Sequence, residues 1–155
     1  MDIRMVSAAG DMETVRTLVR EYGAWLGIDL NWLGFEEELA ALPGAYVGTG
    51  ALWLVEEGGS VAGCVGVRQM GTEAGKKCEL KRMYVLEAYR GRGAGRMLGE
   101  AAIAWARQQG YRAMYLDTLA RLTTAIALYE SLGFARCPPY YHNPIASVVY
   151  FVKTL

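Results

Sequence analysis

The sequence predicts a single mixed α/β domain, a central sheet of six to seven strands flanked by about four helices. Three observations carry this expectation. Segments of apolar alternation trade places with segments of three-to-four-residue periodicity. Three strand-like runs follow one another through short glycine turns between Leu52 and Val85. No internal repeat or long linker divides the chain. At 155 residues, such a domain removes roughly 70% of its unfolded surface from water, enough for one sizeable core.

The elements follow in order. Alternation in "DIRMV" predicts a first strand over Ile3 to Val6. Asp11 is the expected N-cap of a helix running to Leu26, with Val15, Leu18, Val19, Tyr22 and Leu26 on one face. A second helix is expected over Phe35 to Leu42, stopped by Pro43-Gly44. Strands at Leu52 to Glu56 and Ser60 to Met70 read as a hairpin around Gly58-Gly59, and Cys78 to Val85 as a third strand. A helix from Gly93 to Gln109 ends at Gly110, and "RAMYLDT" is a strand. A helix from Leu122 to Leu132 is closed by Gly133. "FARCPPYYHNP" reads as irregular, and "ASVVYFVKT" as the last strand. That strand is either a central core strand or a sheet edge available to a second copy, so a homodimer stays open.

Composition removes several classes of function. The formal net charge is zero, which argues against a nucleic-acid footprint. No run approaches the ~18 apolar residues of a membrane span. The N-terminus is broken by acids and lacks the apolar core of a signal peptide, so a cytoplasmic protein without membrane partners is expected. Cys64, Cys78 and Cys137 are odd in number and widely spaced, and His142 stands alone, so neither a disulfide framework nor a metal site is expected.

The chemistry concentrates in "YRGRGAGRM", where three arginines and three glycines occupy Arg90 to Arg96. A P-loop is excluded because no Lys-Ser/Thr follows. The dinucleotide pattern fails because its third glycine would fall on Arg96 or Leu98. What remains is Arg90-x-x-Gly93-x-Gly95, between a strand and a helix. The first amides of a helix lack intrahelical partners and its dipole favours an anion there. Glycines at 91, 93 and 95 would let a pyrophosphate approach the backbone. The alternative is a glycine-rich turn chosen for packing, with solvated arginines.

Read with its flanks, "ELKRMYVLEAYRGRGAGRMLGEAAIAWARQQGYRAMYLDT" followed by "TAIALYESLGF" resembles the GNAT superfamily of N-acetyltransferases, from Cys64 to Phe134 and more loosely beyond. The resemblance implies a mostly antiparallel mixed sheet and use of acetyl-CoA as co-substrate, without a metal. It implies a coenzyme site formed by Met83, Tyr84, Val85, Arg90, Gly91, Arg92, Gly93, Ala94, Gly95 and Arg96. It further implies that the strand "RMYV" splays from "MYLDT", leaving the Met83 and Val85 main chain to contact the pantetheine arm and a Met83 amide to polarise the acetyl carbonyl. Leu122 departs from the pattern: many members carry an asparagine seven residues before the tyrosine that is Tyr129 here.

Acetyl transfer to an amine needs a neutral nucleophile, whereas an alkylamine has a reference pKa near 10.4. It needs donors for the developing oxyanion and a proton for the departing thiolate. By resemblance the base is Glu79, eleven residues before Arg90, acting directly or through water. The plainer reading of Glu79 is a charge paired with Lys77 or Lys81. By resemblance the acid is Tyr129, four residues before Gly133, although the same ring also reads as core. For the acceptor, Trp25, Trp32, Phe35, Glu37, Glu38, Tyr140, Tyr141 and Asn143 are candidates, the aromatic loop residues as walls of a small pocket; the plainer reading makes Trp25 and Phe35 core, Glu37 and Glu38 a solvated helix face and Arg68 a surface cation. Arg68 or Arg82 is a candidate carboxylate clamp. The expected partner is a small primary amine. A protein N-terminus or lysine, and a catalytically silent acyl-CoA-binding module, remain the alternatives.

Overall fold

The computed structural model describes residues 1–7, 9–31, 34–72 and 76–155. Seven strands lie in one sheet: β1 (Asp2–Met5), β2 (Ala51–Glu57), β3 (Ser60–Gln69), β4 (Lys77–Val85), β5 (Ala113–Leu119), β6 (Ala135–Cys137) and β7 (Val148–Thr154). Four α-helices accompany them among the described residues: α1 (Ala9–Leu26), α2 (Phe35–Ala41), α3 (Ala94–Gln108) and α4 (Thr123–Ser131). The spatial order is β1-β2-β3-β4-β5-β7-β6. Only β4 and β5 run parallel; their connection is the crossover that carries α3.

Both sheet faces are covered, so β2 and β3 are buried without interruption over residues 51–55 and 62–67. Within β2, Trp53 and Val55 join the cluster beneath α3 and α4, while Leu52 and Leu54 join the one beneath α1 and α2. That split is the two-residue alternation of a strand seen in three dimensions. Leu98, Ala102 and Ala106 of α3 recur every four residues and are fully buried. Gly133 closes α4 in the left-handed region, φ 93°, and lets the Phe134 amide donate back to the Tyr129 carbonyl at 3.0 Å. This closure fixes where Tyr129 sits.

Two expectations are corrected and one open alternative is closed. Asp11 is not the N-cap: α1 begins two residues earlier, and Asp11 sits in its first turn, where Arg4 donates to it at 2.8 and 2.9 Å. An acid in the first turn serves the helix dipole as well as a cap would. The segment read as irregular contains β6, a three-residue edge strand paired with β7. The last strand is therefore flanked on both sides, by β5 and β6, and is not a sheet edge. Among the described residues, no helix is long and apolar enough to cross a membrane.

Candidate active site

The site begins where the sheet comes apart. The parallel ladder pairs Lys77 with Ala113, Cys78 with Met114 and Glu79 with Tyr115, and then stops. Both strands continue, β4 against β3 and β5 against β7, so a wedge opens between them. On the β3 side, Cys64 opposes Tyr84 but Gly66 opposes Lys81, a bulge that places Arg82 and Met83 against one residue. Arg82 sits there at φ 56°, a left-handed conformation that costs a non-glycine residue about 1 to 2 kcal/mol. Its side chain offsets this: the guanidinium pairs with Glu38 at 2.6 Å and lies 5.1 Å over the Phe35 ring. Gly66, beside the bulge, makes room for the Tyr46 ring, from which a Cβ there would fall 2.7 Å.

On one side of the wedge lies a groove of about 610 Å³. Of the ten residues expected to hold the coenzyme, nine line it: Met83, Tyr84, Val85, Arg90, Gly91, Gly93, Ala94, Gly95 and Arg96. The α3 N-terminus opens onto it with no side-chain cap, behind Gly93 at φ 89°. A Cβ added at Gly91 or Gly93 would meet nothing within 4 Å, so the space above these residues is free for a ligand. Gly95 is different, because its Cβ would press on Leu128 at 3.0 Å; it is a packing glycine between α3 and α4. Arg92 is the exception among the ten. It turns away to Glu57 at 2.6 Å. Arg90 donates to the Val85 carbonyl at 2.9 Å and lies 4.7 Å over Trp25. Trp25 is thus a 43% exposed platform on the groove rather than core.

On the other side lies a cavity of about 60 Å³. Tyr22, Met83, Thr118 and Tyr129 line both spaces and form the wall between them. Tyr129 is buried, and burial raises its phenol well above the ordinary range, so it keeps its proton at neutral pH. Burial likewise pushes Tyr22 up to about 12. The charged groups of the cavity are Lys81, Arg82 and Asp117, and Asn143 adds an amide to the neutral polar groups of Tyr22, Thr118 and Tyr129.

Glu79 faces neither space. It is 2% exposed, with Arg68 on Oε1 at 2.8 Å and the Tyr140 hydroxyl donating to Oε2 at 2.6 Å. Lys81 stands 4.0 Å from the same Oε2. Burial alone would raise the Glu79 pKa, but the Lys81 and Arg68 charges and the two hydrogen-bond donors bring it below the ordinary carboxylate value. Glu79 is therefore a shielded anion behind the cavity wall, paired closely with Arg68 and at longer range with Lys81, of which the plainer reading named only Lys81.

The acceptor candidates divide in the same way. Arg68 is occupied by Glu79 and lines neither space, and Arg82 is occupied by Glu38. Tyr140 and Tyr141 are not cavity walls. They stack among Tyr115 and Tyr150, and their hydroxyls bond Glu79 and Asp117 respectively. Asn143 donates to the Tyr141 hydroxyl at 2.9 Å and does face the cavity. Phe35 is core. Trp32 lies outside the described residues. Sequence reasoning missed Lys81 and Asp117. The available signal was strand alternation: each lies two residues past the last rung, Glu79 and Tyr115.

Comparison with known proteins agrees with this geometry. The profile described as "Acetyltransferase (GNAT) family" matches residues 16–134. An uncharacterized N-acetyltransferase of Schizosaccharomyces pombe is 38% identical over 97% of this chain and 92% of its own length. An acetyltransferase structure from Streptococcus agalactiae superposes with a TM-score of 0.80 at 21% identity, covering 99% of this chain and 98% of that one. A putative acetyltransferase of Salmonella typhimurium, solved with acetyl-CoA, gives a TM-score of 0.72 at 20% identity over 99% of this chain and 92% of its own.

Proposed function

The chain belongs to the GNAT acetyltransferase family, and we propose that it transfers the acetyl group of acetyl-CoA to the primary amine of a small molecule by direct attack. The observation that carries this reading is the shared wall: Tyr129, a protonated phenol, stands between a large groove and a small cavity. Two spaces meeting at one proton donor suit a reaction in which two substrates are bound together.

The groove fits the coenzyme. Its uncapped helix N-terminus and the free space over Gly91 and Gly93 suit a pyrophosphate, with Arg96 at the rim. When bound, acetyl-CoA supplies an activated acetyl group as its thioester. The main chain of Met83 and Val85, on the open side of β4, would align the pantetheine arm and polarise the acetyl carbonyl. The amine enters from the cavity side. Asp117 is the carboxylate that faces it, so Asp117 would accept the ammonium proton, with Glu79 acting from behind as a positioning residue through Lys81 and Tyr140. As the C–N bond forms and the C–S bond breaks, Tyr129 would give its proton to sulfur, and the second proton leaving the nitrogen would restore the Tyr129 phenol.

The cavity's size favours a small acceptor over a peptide, which needs an open channel. The test is acetyl transfer to a mixed pool of amines, amino acids, polyamines and peptides, read by mass spectrometry. An acetylated small amine is the expected result. Acetylation of peptides alone would move the acceptor to proteins, and tight acetyl-CoA binding without any product would leave a coenzyme-binding module.

A further inference from the structure

Lys81 and Asp117 are register equivalents, each two residues beyond the final rung on neighbouring parallel strands. Both face the cavity, one cationic and one anionic, across the wedge. They do not pair: among the described residues no ion pair joins them, although each lies within electrostatic reach of the other. The other cation of the cavity, Arg82, is already neutralised by Glu38 at 2.6 Å. Lys81 has only the more distant Glu79 oxygen at 4.0 Å, while its side chain is 10% exposed. Asp117 accepts one hydrogen bond, from Tyr141, on Oδ2. A mostly covered ammonium and a partly buried carboxylate, both facing the cavity and held apart in this way, are each stabilised by a ligand of opposite charge.

We propose that the acceptor is a zwitterion of the α-amino-acid type, with its carboxylate on Lys81, its ammonium on Asp117 and a compact apolar side chain against Leu26, Leu30 and Ile145. This names the substrate class for the function proposed above and rests on it. The rest of the lining agrees: the cavity floor is aliphatic, and its charged groups all come from the two strand ends and the bulge. Burial lowers the Lys81 pKa and Glu79 raises it again, with the net shift downward, so an incoming carboxylate would reinforce the charge on that ammonium. Asp117 is then placed where the nucleophilic nitrogen has to shed its proton.

The experiment compares matched acceptors that differ only in the carboxylate: alanine with ethylamine, and valine with isobutylamine, in steady state with the full chain and acetyl-CoA. The expected result is a kcat/KM at least tenfold higher for each amino acid, carried mainly by KM. Lys81→Met should bring that ratio close to one, and Lys81→Arg should keep most of it. Equal use of the matched amines, or a ratio that survives Lys81→Met, would overturn the proposal. Acetylation of other amines in the wider pool, with neither amino acid used, would also overturn it while leaving the acetyltransferase reading intact. Failure of every acceptor despite acetyl-CoA binding would remove that reading too. The comparison of acid with amine needs no variant, so it decides the matter even if a substituted chain misfolds.

Discussion

The two spaces that meet at Tyr129 are built on opposite plans. The groove is made largely from one continuous stretch, Met83 to Arg96, completed by α4, and its glycines leave open space over an uncapped helix. The cavity is assembled from α1, β4 and β5 beyond their last shared rung, and the segment before β7, and two of its charges are held by groups outside it, Arg82 by Glu38 and Asp117 by the Tyr141 hydroxyl. A diphosphate can be held by backbone amides, which any sequence supplies if side chains stay out of the way. Discrimination among small acceptors requires particular side chains at fixed distances, and these need a supporting shell. The groove is therefore the general half of the site and the cavity its specific half.

That division can be broken by substitutions that affect one half only. The largest effect is expected from Gly93→Val, which puts a branched side chain at φ 89° at the mouth of the groove. Acetyl-CoA affinity should fall by roughly 100-fold or more while circular dichroism still reports the fold, because the strain at such a residue is about 1 to 3 kcal/mol. Unchanged affinity by calorimetry would refute the cradle. Next, Tyr129→Phe should lower kcat by about 10² to 10³ and leave acetyl-CoA affinity within about twofold, because the ring still packs between the two spaces. An unaltered kcat would remove the proton-donor role.

Glu79→Gln tests the supporting shell. It removes a buried anion from between Arg68 and Lys81. The expected loss is about 3 kcal/mol, or roughly 10 °C in Tm. The pH dependence has a definite sign. The Glu79 pKa is lowered on folding, so its contribution is complete above the ordinary carboxylate pKa and is lost as pH falls through the folded value. The Tm gap between wild type and variant should therefore be widest near neutrality and narrow in acid. A gap that does not change with pH would contradict the charged-pair account. The smallest effect belongs to Arg92→Ala. Its partner is the half-exposed Glu57, an ion pair that contributes less than about 1 kcal/mol. Acetyl-CoA affinity should stay within about twofold; a large loss would return Arg92 to the groove.

What was legible in the sequence follows the same divide. Nine of the ten residues expected to hold the coenzyme line the groove because they are neighbours in the chain, so their local pattern already contains the geometry. Arg92 escaped because nothing local says which of three arginines on a turn finds an acid 35 residues away. Lys81 and Asp117 escaped for a related reason: their meaning depends on the β4–β5 register ending two residues earlier. Tyr140 and Tyr141 read as pocket walls by residue type, and no local pattern shows that their phenols reach back to the strand carboxylates Glu79 and Asp117. The three-residue β6 was hidden by Pro138 and Pro139 immediately after it.

The wedge between β4 and β5 also has a consequence for how the molecule holds together. A sheet that stops pairing in its own middle carries main-chain donors and acceptors that its neighbours do not use, and solvent must serve them until something longer and better aligned arrives. A ligand lying along that opening acts as a missing strand, so binding and folding become one equilibrium. At a ligand concentration 100 times its Kd the chain gains about 2.7 kcal/mol against unfolding. Amide exchange should register that gain most strongly at Lys81 to Val85 and Leu116 to Leu119, the two lips of the seam that the ligand closes.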